Sequence, residues 1–242
     1  LEDFKPERKK CLGIIGKAVT FDAGGLMLKS KESLPFMSDD VAGAAAVIGA
    51  MSVITDLNLD YNTVCAIPIA ENLLDSRSYR PADVFETRWD ISVEVNNTDS
   101  EGRLILADAF MYLQDEYELD LIIDVATLTG AVCRALGNQV AGYFTNTDMM
   151  AQLMTKAQKR SREGFWRLPL EQSYKKQLRS SLADLKNEGG EPKAITAALF
   201  LEQFVKEDMP WMHCDIGAII TPSPDDPLYG NPEYKTGIPA MT

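Results

Sequence analysis

The chain has 242 residues, 45% of them hydrophobic and 25% charged, with a net charge of −12 and a pI of about 4.6. That size and balance fit one large globular domain and exclude global disorder. The acidic excess disfavours duplex nucleic acid and anionic membranes as partners, and it is compatible with a site that holds dications on carboxylates.

In chain order, a basic, polar lead (Leu1–Lys10) precedes a β-like run at Cys11–Phe21, and Asp22–Pro35 is Gly-rich and irregular. Small apolar residues over Val41–Thr55 predict a tightly packed helix opening after Asp39–Asp40, two acids placed favourably for the helix dipole. Asn62–Ala70 reads as a buried strand, Asn72–Ala82 as a loop and Ile91–Val95 as a strand. Leu104–Leu113 predicts a helix, Leu119–Ala126 a buried strand followed by a turn at Thr127–Gly130, and Gln139–Thr145 a further strand. Helices are predicted at Met149–Arg162 and Ile195–Val205, and a last strand at Trp211–Ile216. Near-continuous apolar strands alternating with helices predict an α/β fold, a mostly parallel mixed sheet flanked by helices on both faces. No apolar run reaches the roughly 20 residues of a membrane span, and the charged lead does not read as a signal peptide.

Four cysteines (Cys11, Cys65, Cys133, Cys214) form no CxxC pair, which reads as mostly buried thiols in a reducing, cytoplasmic setting. His213 is the single histidine. A multi-histidine zinc site is thereby excluded, any Ser–His–Asp triad would have to use that residue, and a structural role near a strand end is the better reading.

Chemistry concentrates in two segments. In Asn96-Asn97-Thr98-Asp99-Ser100-Glu101-Gly102-Arg103, between a strand and a helix, Asp99, Glu101 and Arg103 recur at spacing two and point the same way if the backbone is extended. Such a trio can hold a dication and an anion; a helix cap with solvated charges accounts for the spacing equally well. In Gly16-Lys17-Ala18-Val19-Thr20-Phe21-Asp22-Ala23-Gly24-Gly25, followed by Lys29 and Asp40, Lys17 interrupts an apolar strand. It is either buried with partners or snorkelling at an edge. The remaining pieces match ordinary turns and caps.

The strings NTDSEGRLILADA and GKAVTFDAGG, with Lys29 and Asp40 after the second, resemble the signatures of the M17 leucyl aminopeptidases. The resemblance continues through RPADV (Arg80–Val84), ATLTGA (Ala126–Ala131), FWRLPL (Phe165–Leu170), LADLKN (Leu182–Asn187), ITAALFL (Ile195–Leu201) and WMHCDI (Trp211–Ile216), covering essentially all of residues 1–242 as a catalytic domain. Family members carry a separate N-terminal domain and further catalytic-domain residues before the equivalent of Lys17, so these are expected to be missing from the 242 residues.

The resemblance implies an aminopeptidase that removes leucine-type residues from peptides with two divalent ions, zinc or manganese, with magnesium or cobalt also compatible. Lys17, Asp22, Asp40, Asp99 and Glu101 would bind them, with Asp22 and Glu101 bridging. Lys29 would polarise the peptide carbonyl, and Arg103 would hold a bicarbonate serving as general base. Met37, Thr127, Leu128 and Gly130 match substrate-pocket positions. A homo-hexamer is the implied assembly, with peptides as partners and neither nucleic acid nor membrane. Ser38, Asp39, Val41 and Ala23 depart from the family's common residues; Asp39 adds charge beside the site and is expected to favour basic side chains. Competing readings are an inactive structural paralogue that keeps the fold for assembly, a peptidase with added nucleic-acid binding, and another metallohydrolase such as a phosphatase.

Overall fold

A computed structural model describes residues 9–219; residues 1–8 of the polar lead lie outside it. Strands β1 (Cys11–Gly16) and β2 (Ala18–Asp22) lead through a 3-10 turn at Leu34–Asp39 into helix α1 (Ala42–Leu57). Strands β3 (Asn62–Ala66), β4 (Ile69–Asn72), β5 (Val84–Glu86) and β6 (Ser92–Glu94) precede α2 (Gly102–Glu116). Then come β7 (Leu121–Ala126), α3 (Gly130–Leu136), β8 (Val140–Thr145), α4 (Asp148–Ser161), β9 (Gly164–Arg167), β10 (Leu185–Lys186), α5 (Lys193–Glu202) and β11 (Trp211–Asp215).

The central sheet runs β3-β1-β7-β11-β8-β9. Its first four strands are parallel, and β8 turns antiparallel to β11. Both faces are covered, as a parallel sheet requires. The neighbours Ile14 and Ile15 of β1 point to opposite faces, and both are buried. Leu106 and Phe110 of α2 and Leu199 and Phe200 of α5 share a core with Ile15. Ala46 and Val47 of α1 and Met150 and Met154 of α4 share one with Ile14. The approach of α1 to the sheet depends on Gly43, where a Cβ would stand 2.2 Å from the Val125 carbonyl oxygen.

The expected α/β architecture is present, but two predicted strands are each broken in two. The run expected at Cys11–Phe21 ends its sheet pairing at Lys17, whose N–H still donates to Val125. The chain then leaves the central sheet, and β2 pairs with β4 instead. The run expected at Asn62–Ala70 breaks at Ile67–Pro68, where proline offers no N–H to a ladder. The two breaks are coupled, since Ala18 N–H donates to the Pro68 carbonyl. A small parallel ribbon is thus carried past the carboxyl edge of the main sheet. The sequence did not predict β5, β10, α3 or β9. Strand β5 is wholly exposed and β10 has two residues, so neither carries a hydrophobic period; with β6 they form a separate three-stranded sheet. Another difference concerns Leu34–Leu57: the 3-10 turn and α1 together form a 24-residue helical stretch with the apolar content of a membrane span, although Asp39, Asp40 and Asp56 interrupt it in sequence. The first turns of α1 pack on β1 and β7 as a core helix does.

Glu163, between α4 and β9, borders an apolar groove formed with α1 and the sheet. Its Oε1 is buried without a hydrogen-bond partner among the described residues, and burial pushes its pKa up to about 7. The folded chain therefore holds this proton more tightly than the unfolded chain. Stability falls as pH rises from about 4.5 to about 7, and the cost is full above that window. Glu163→Gln is predicted to raise stability at pH 8 by roughly 1–2 kcal/mol, discounted for partial exposure, and to leave it unchanged at pH 4. Thermal melting at the two pH values checks this; an equal effect at both would contradict it.

Candidate metal centre

The metal-ligand, catalytic and pocket residues implied by the resemblance line one cavity of about 500 Å³: Lys17, Asp22, Lys29, Met37, Asp40, Asp99, Glu101, Arg103, Thr127, Leu128 and Gly130. It lies beyond the carboxyl ends of β1 and β7, where open α/β sheets place their sites. Lys17 follows β1 directly and Thr127 follows β7. Asp22 closes β2, Asp40 sits between the 3-10 turn and α1, and Asp99 and Glu101 lie in the loop that opens α2.

Lys17 is 3% exposed and stands at the centre. Its ammonium donates to Asp40 Oδ1 at 2.8 Å and to the Thr127 carbonyl at 3.0 Å, and pairs with Glu101 Oε1 at 3.1 Å. Burial works against its charge, but the Asp40, Glu101 and Asp22 carboxylates outweigh it and raise its pKa. The buried reading of this lysine holds, and the snorkelling one does not. Lys29 is a second bridge, from its Nζ to Asp22 Oδ2 at 2.7 Å and Asp99 Oδ1 at 2.5 Å.

The carboxylates are crowded. Oxygens of Asp22, Asp99 and Glu101 all lie within 4.8 Å of one another. Burial pushes Asp40 up to about 6 despite Lys17, and it pushes Asp99 up to about 6 despite Lys29. Raised carboxylate pKa values mark a site where added positive charge is favoured. Asp40 uses Oδ1 for Lys17 and for the Thr127 hydroxyl, at 2.6 Å, while its buried Oδ2 has no hydrogen-bond partner among the described residues. An acceptor left over beside three clustered carboxylates fits a divalent cation: the donor set is oxygen-rich, with one amine.

Arg103, in the first turn of α2, is buried. Its NH1 donates to the Asn187 carbonyl at 2.8 Å, and its Nε is buried without a partner among the described residues. Burial lowers its pKa, with the Glu188, Glu101 and Asp215 carboxylates opposing. Of the pocket residues, Thr127 is also a support for Asp40 and Lys17, and the Leu128 N–H donates to Asp215. Asp39 is half-buried and does not line the cavity.

Several residues escaped the sequence reading. Asn187 is fully buried. Its Oδ1 accepts from the N–H groups of Asn96 and Asn97, and its Nδ2 donates to the Asn97 carbonyl, which fixes the loop that carries Asp99. Glu188 lines the cavity and pairs with Lys193. The LADLKN string ends on Asn187, so a signal existed without a role attached. His213 is outside the cavity, in the middle of β11 and not near its end. Its Nδ1 shares a 2.6 Å hydrogen bond with Asp124 Oδ1, and Trp211 Nε1 donates to Asp124 Oδ2 at 2.8 Å. That arrangement ties β11 to β7 and is structural.

Residues 3–242 match the family described as "Cytosol aminopeptidase family, catalytic domain". A probable cytosol aminopeptidase of Chlamydia caviae is 45% identical over 236 residues, covering 96% of this chain and 47% of the relative. One from Syntrophotalea carbinolica is 48% identical over 209 residues, covering 86% and 42%. Among solved structures, the bottromycin maturation enzyme BotP in complex with Mn superposes with a TM-score of 0.86 at 38% identity, over 93% of this chain and 50% of that one. A tomato leucine aminopeptidase mutant gives a TM-score of 0.84 at 37% identity, over 98% and 44%. The chain spans about half the length of the curated relatives it matches.

The packing of α2 on Lys17 requires Gly102, where a Cβ would stand 2.4 Å from Lys17 Cε and 2.7 Å from Nζ. Lys17 is pinned by three acceptors and cannot swing aside without leaving them. Gly102→Ala is predicted to destabilise the metal-free protein by about 1–3 kcal/mol, as overpacking does. Urea unfolding measures it, and an unchanged midpoint would show that Lys17 is not held in this way.

Proposed function

We propose, since the chain belongs to the cytosol aminopeptidase family, that it carries the catalytic apparatus of a two-metal aminopeptidase acting on leucine-type N-terminal residues of peptides. The observation that carries the reading is the carboxylate cluster of Asp22, Asp99 and Glu101 beside the unsatisfied Asp40 Oδ2. The Mn complex of the structural relative BotP supports a divalent cation there.

Lys17, Asp22, Asp40, Asp99 and Glu101 would hold two divalent ions, zinc or manganese or both, with Asp22 and Glu101 shared between them. When bound, the ions would supply Lewis acidity and an activated water, and a bicarbonate would supply a general base. The chain's own residues have separable tasks. As a metal ligand Lys17 would be a neutral amine, a state that neighbouring dications would favour. Lys29, whose ammonium pairs with Asp22 and Asp99, would donate to the carbonyl oxygen of the scissile bond, where negative charge develops. Arg103, which lines the cavity and whose buried Nε has no partner among the described residues, suits a small planar anion such as bicarbonate. Met37, Leu128 and Gly130 form the less polar part of the wall and would receive the N-terminal side chain, with Thr127 fixing the wall to Asp40. A free peptide N-terminus would be selected by the acidic, cationic-ligand character of the cavity's inner end. A homo-hexamer and a cytosolic location are proposed from the family resemblance and from the names of the relatives.

Hydrolysis of leucyl-amide by the purified protein, with and without added manganese or zinc, tests the reading. Turnover is expected only with metal, and Glu101→Ala should reduce kcat/KM by at least about 100-fold. Metal-independent turnover, or turnover unaffected in the variant, would overturn it.

A further inference from the structure

Asn72, the last residue of β4, is buried; it does not line the cavity of the carboxylate cluster but borders, with Glu101, a second cavity of about 730 Å³. Its side-chain amide makes two short hydrogen bonds, to Asp22 Oδ1 at 2.8 Å and to the Thr98 carbonyl at 2.9 Å, and has a longer contact to Glu101 Oε2 at 3.4 Å. Asp22 and Glu101 belong to segments far apart in sequence, and this one amide reaches both. Its backbone is fixed by the pairing of Asn72 with Asp22 across β2 and β4 and by the Ala23 N–H donating to the Asn72 carbonyl at 2.8 Å.

The consequence is a choice of oxygen. Asp22 Oδ1 accepts from both Asn72 Nδ2 and the Gly24 N–H. Oδ2 is the oxygen turned to Lys29 at the cavity. Glu101 is split in the same sense: Oε1 faces the buried Lys17 and Oε2 faces the amide. An amide donor is neutral, so it can orient two carboxylates without competing for the positive charge that a dication brings, whereas a lysine at this place would cancel the site. We infer that Asn72 is a positioning residue for the metal centre, holding Asp22 and Glu101 at a common angle so that both present oxygens to a shared divalent cation. The inference rests on the two-metal reading of the cavity. Outer partners of this type tune metal affinity by about 10–100-fold when removed.

The experiment is calorimetric titration of Mn into the metal-free protein, for wild type, Asn72→Ala and Tyr79→Phe, with far-UV circular dichroism and a metal-free melting curve for each. Tyr79 is the control because its hydroxyl donates to the same Thr98 carbonyl, at 2.6 Å, without a hydrogen bond to either carboxylate. Asn72→Ala is expected to weaken Mn binding about 10–100-fold, and Tyr79→Phe to leave it within a factor of about 3 of wild type. If both variants weaken binding equally, Asn72 acts only through the Thr98 loop and the inference is overturned; unchanged affinity in Asn72→Ala overturns it as well. Should Asn72→Ala fail to fold, Asn72→Leu, which keeps the volume and removes the donor, carries the same expectation. A wild-type protein that binds no Mn would instead refute the metal-centre reading on which the inference stands.

Discussion

A lysine ammonium taken out of water has to be surrounded by acceptors, because the cost of burying it unpaired is several kcal/mol. Lys17 meets that demand with Asp40, Glu101 and the Thr127 carbonyl. Those partners come from the start of α1, the start of α2 and the end of β7. The lysine thus gathers one cavity from the ends of three elements, and the packing around it follows. Gly102 is small because α2 must lie on the Lys17 side chain, and Gly43 is small because α1 must lie on β7 next to it. A charge that would only weaken an ordinary strand here becomes the point from which the site is organised.

The chain break at Lys17 has the same origin. Had β1 continued as a straight strand, Asp22 would have been carried along the central sheet. The chain instead steps out of the sheet after Lys17, pairs β2 with β4 and brings Asp22 to the cavity, with Asn72 behind it. The ribbon supplies the Asp22 carboxylate and the Asn72 amide that donates to it, while the loop before α2 supplies Asp99 and Glu101. Lys29 closes the arrangement at the mouth, and the two lysines hold four carboxylates together in the absence of metal. Raised pKa values at Asp40 and Asp99 show that this compensation is incomplete. The residual demand for positive charge is the physical basis for a dication site.

Much of this was legible in the sequence, for identifiable reasons. Lys17 is conspicuous as a charge inside an apolar run; the spacing of Asp99, Glu101 and Arg103 presumes an extended backbone, whereas Glu101 caps α2 in αR conformation and Arg103 lies in its first turn. Continuous apolar strands such as Leu121–Ala126 announce a sheet buried on both faces. What stayed hidden depends on partners distant in the chain. Asn72 looks like an ordinary loop amide until Asp22 and Glu101 are placed beside it, and Asn187 likewise until the Asn96–Asn97 backbone arrives. The strand breaks were missed because hydrophobic periodicity does not register a change of sheet, although Pro68 marked one of them. Asp39 was expected to bear on substrate choice by its nearness in sequence, yet it does not line the cavity, because the 3-10 turn points its neighbour Asp40 inward.

The central claim is that these carboxylates and Lys17 form a site for divalent cations. Equilibrium dialysis against manganese or zinc, followed by metal counting on the wild type and on an Asp22→Ala variant, tests it most directly. The account predicts close to two ions per chain in the wild type and a loss of at least one in the variant, since on the proposed reading Asp22 would be shared between them. A wild-type protein that retains no divalent ion, or a variant that retains the full complement, would contradict it.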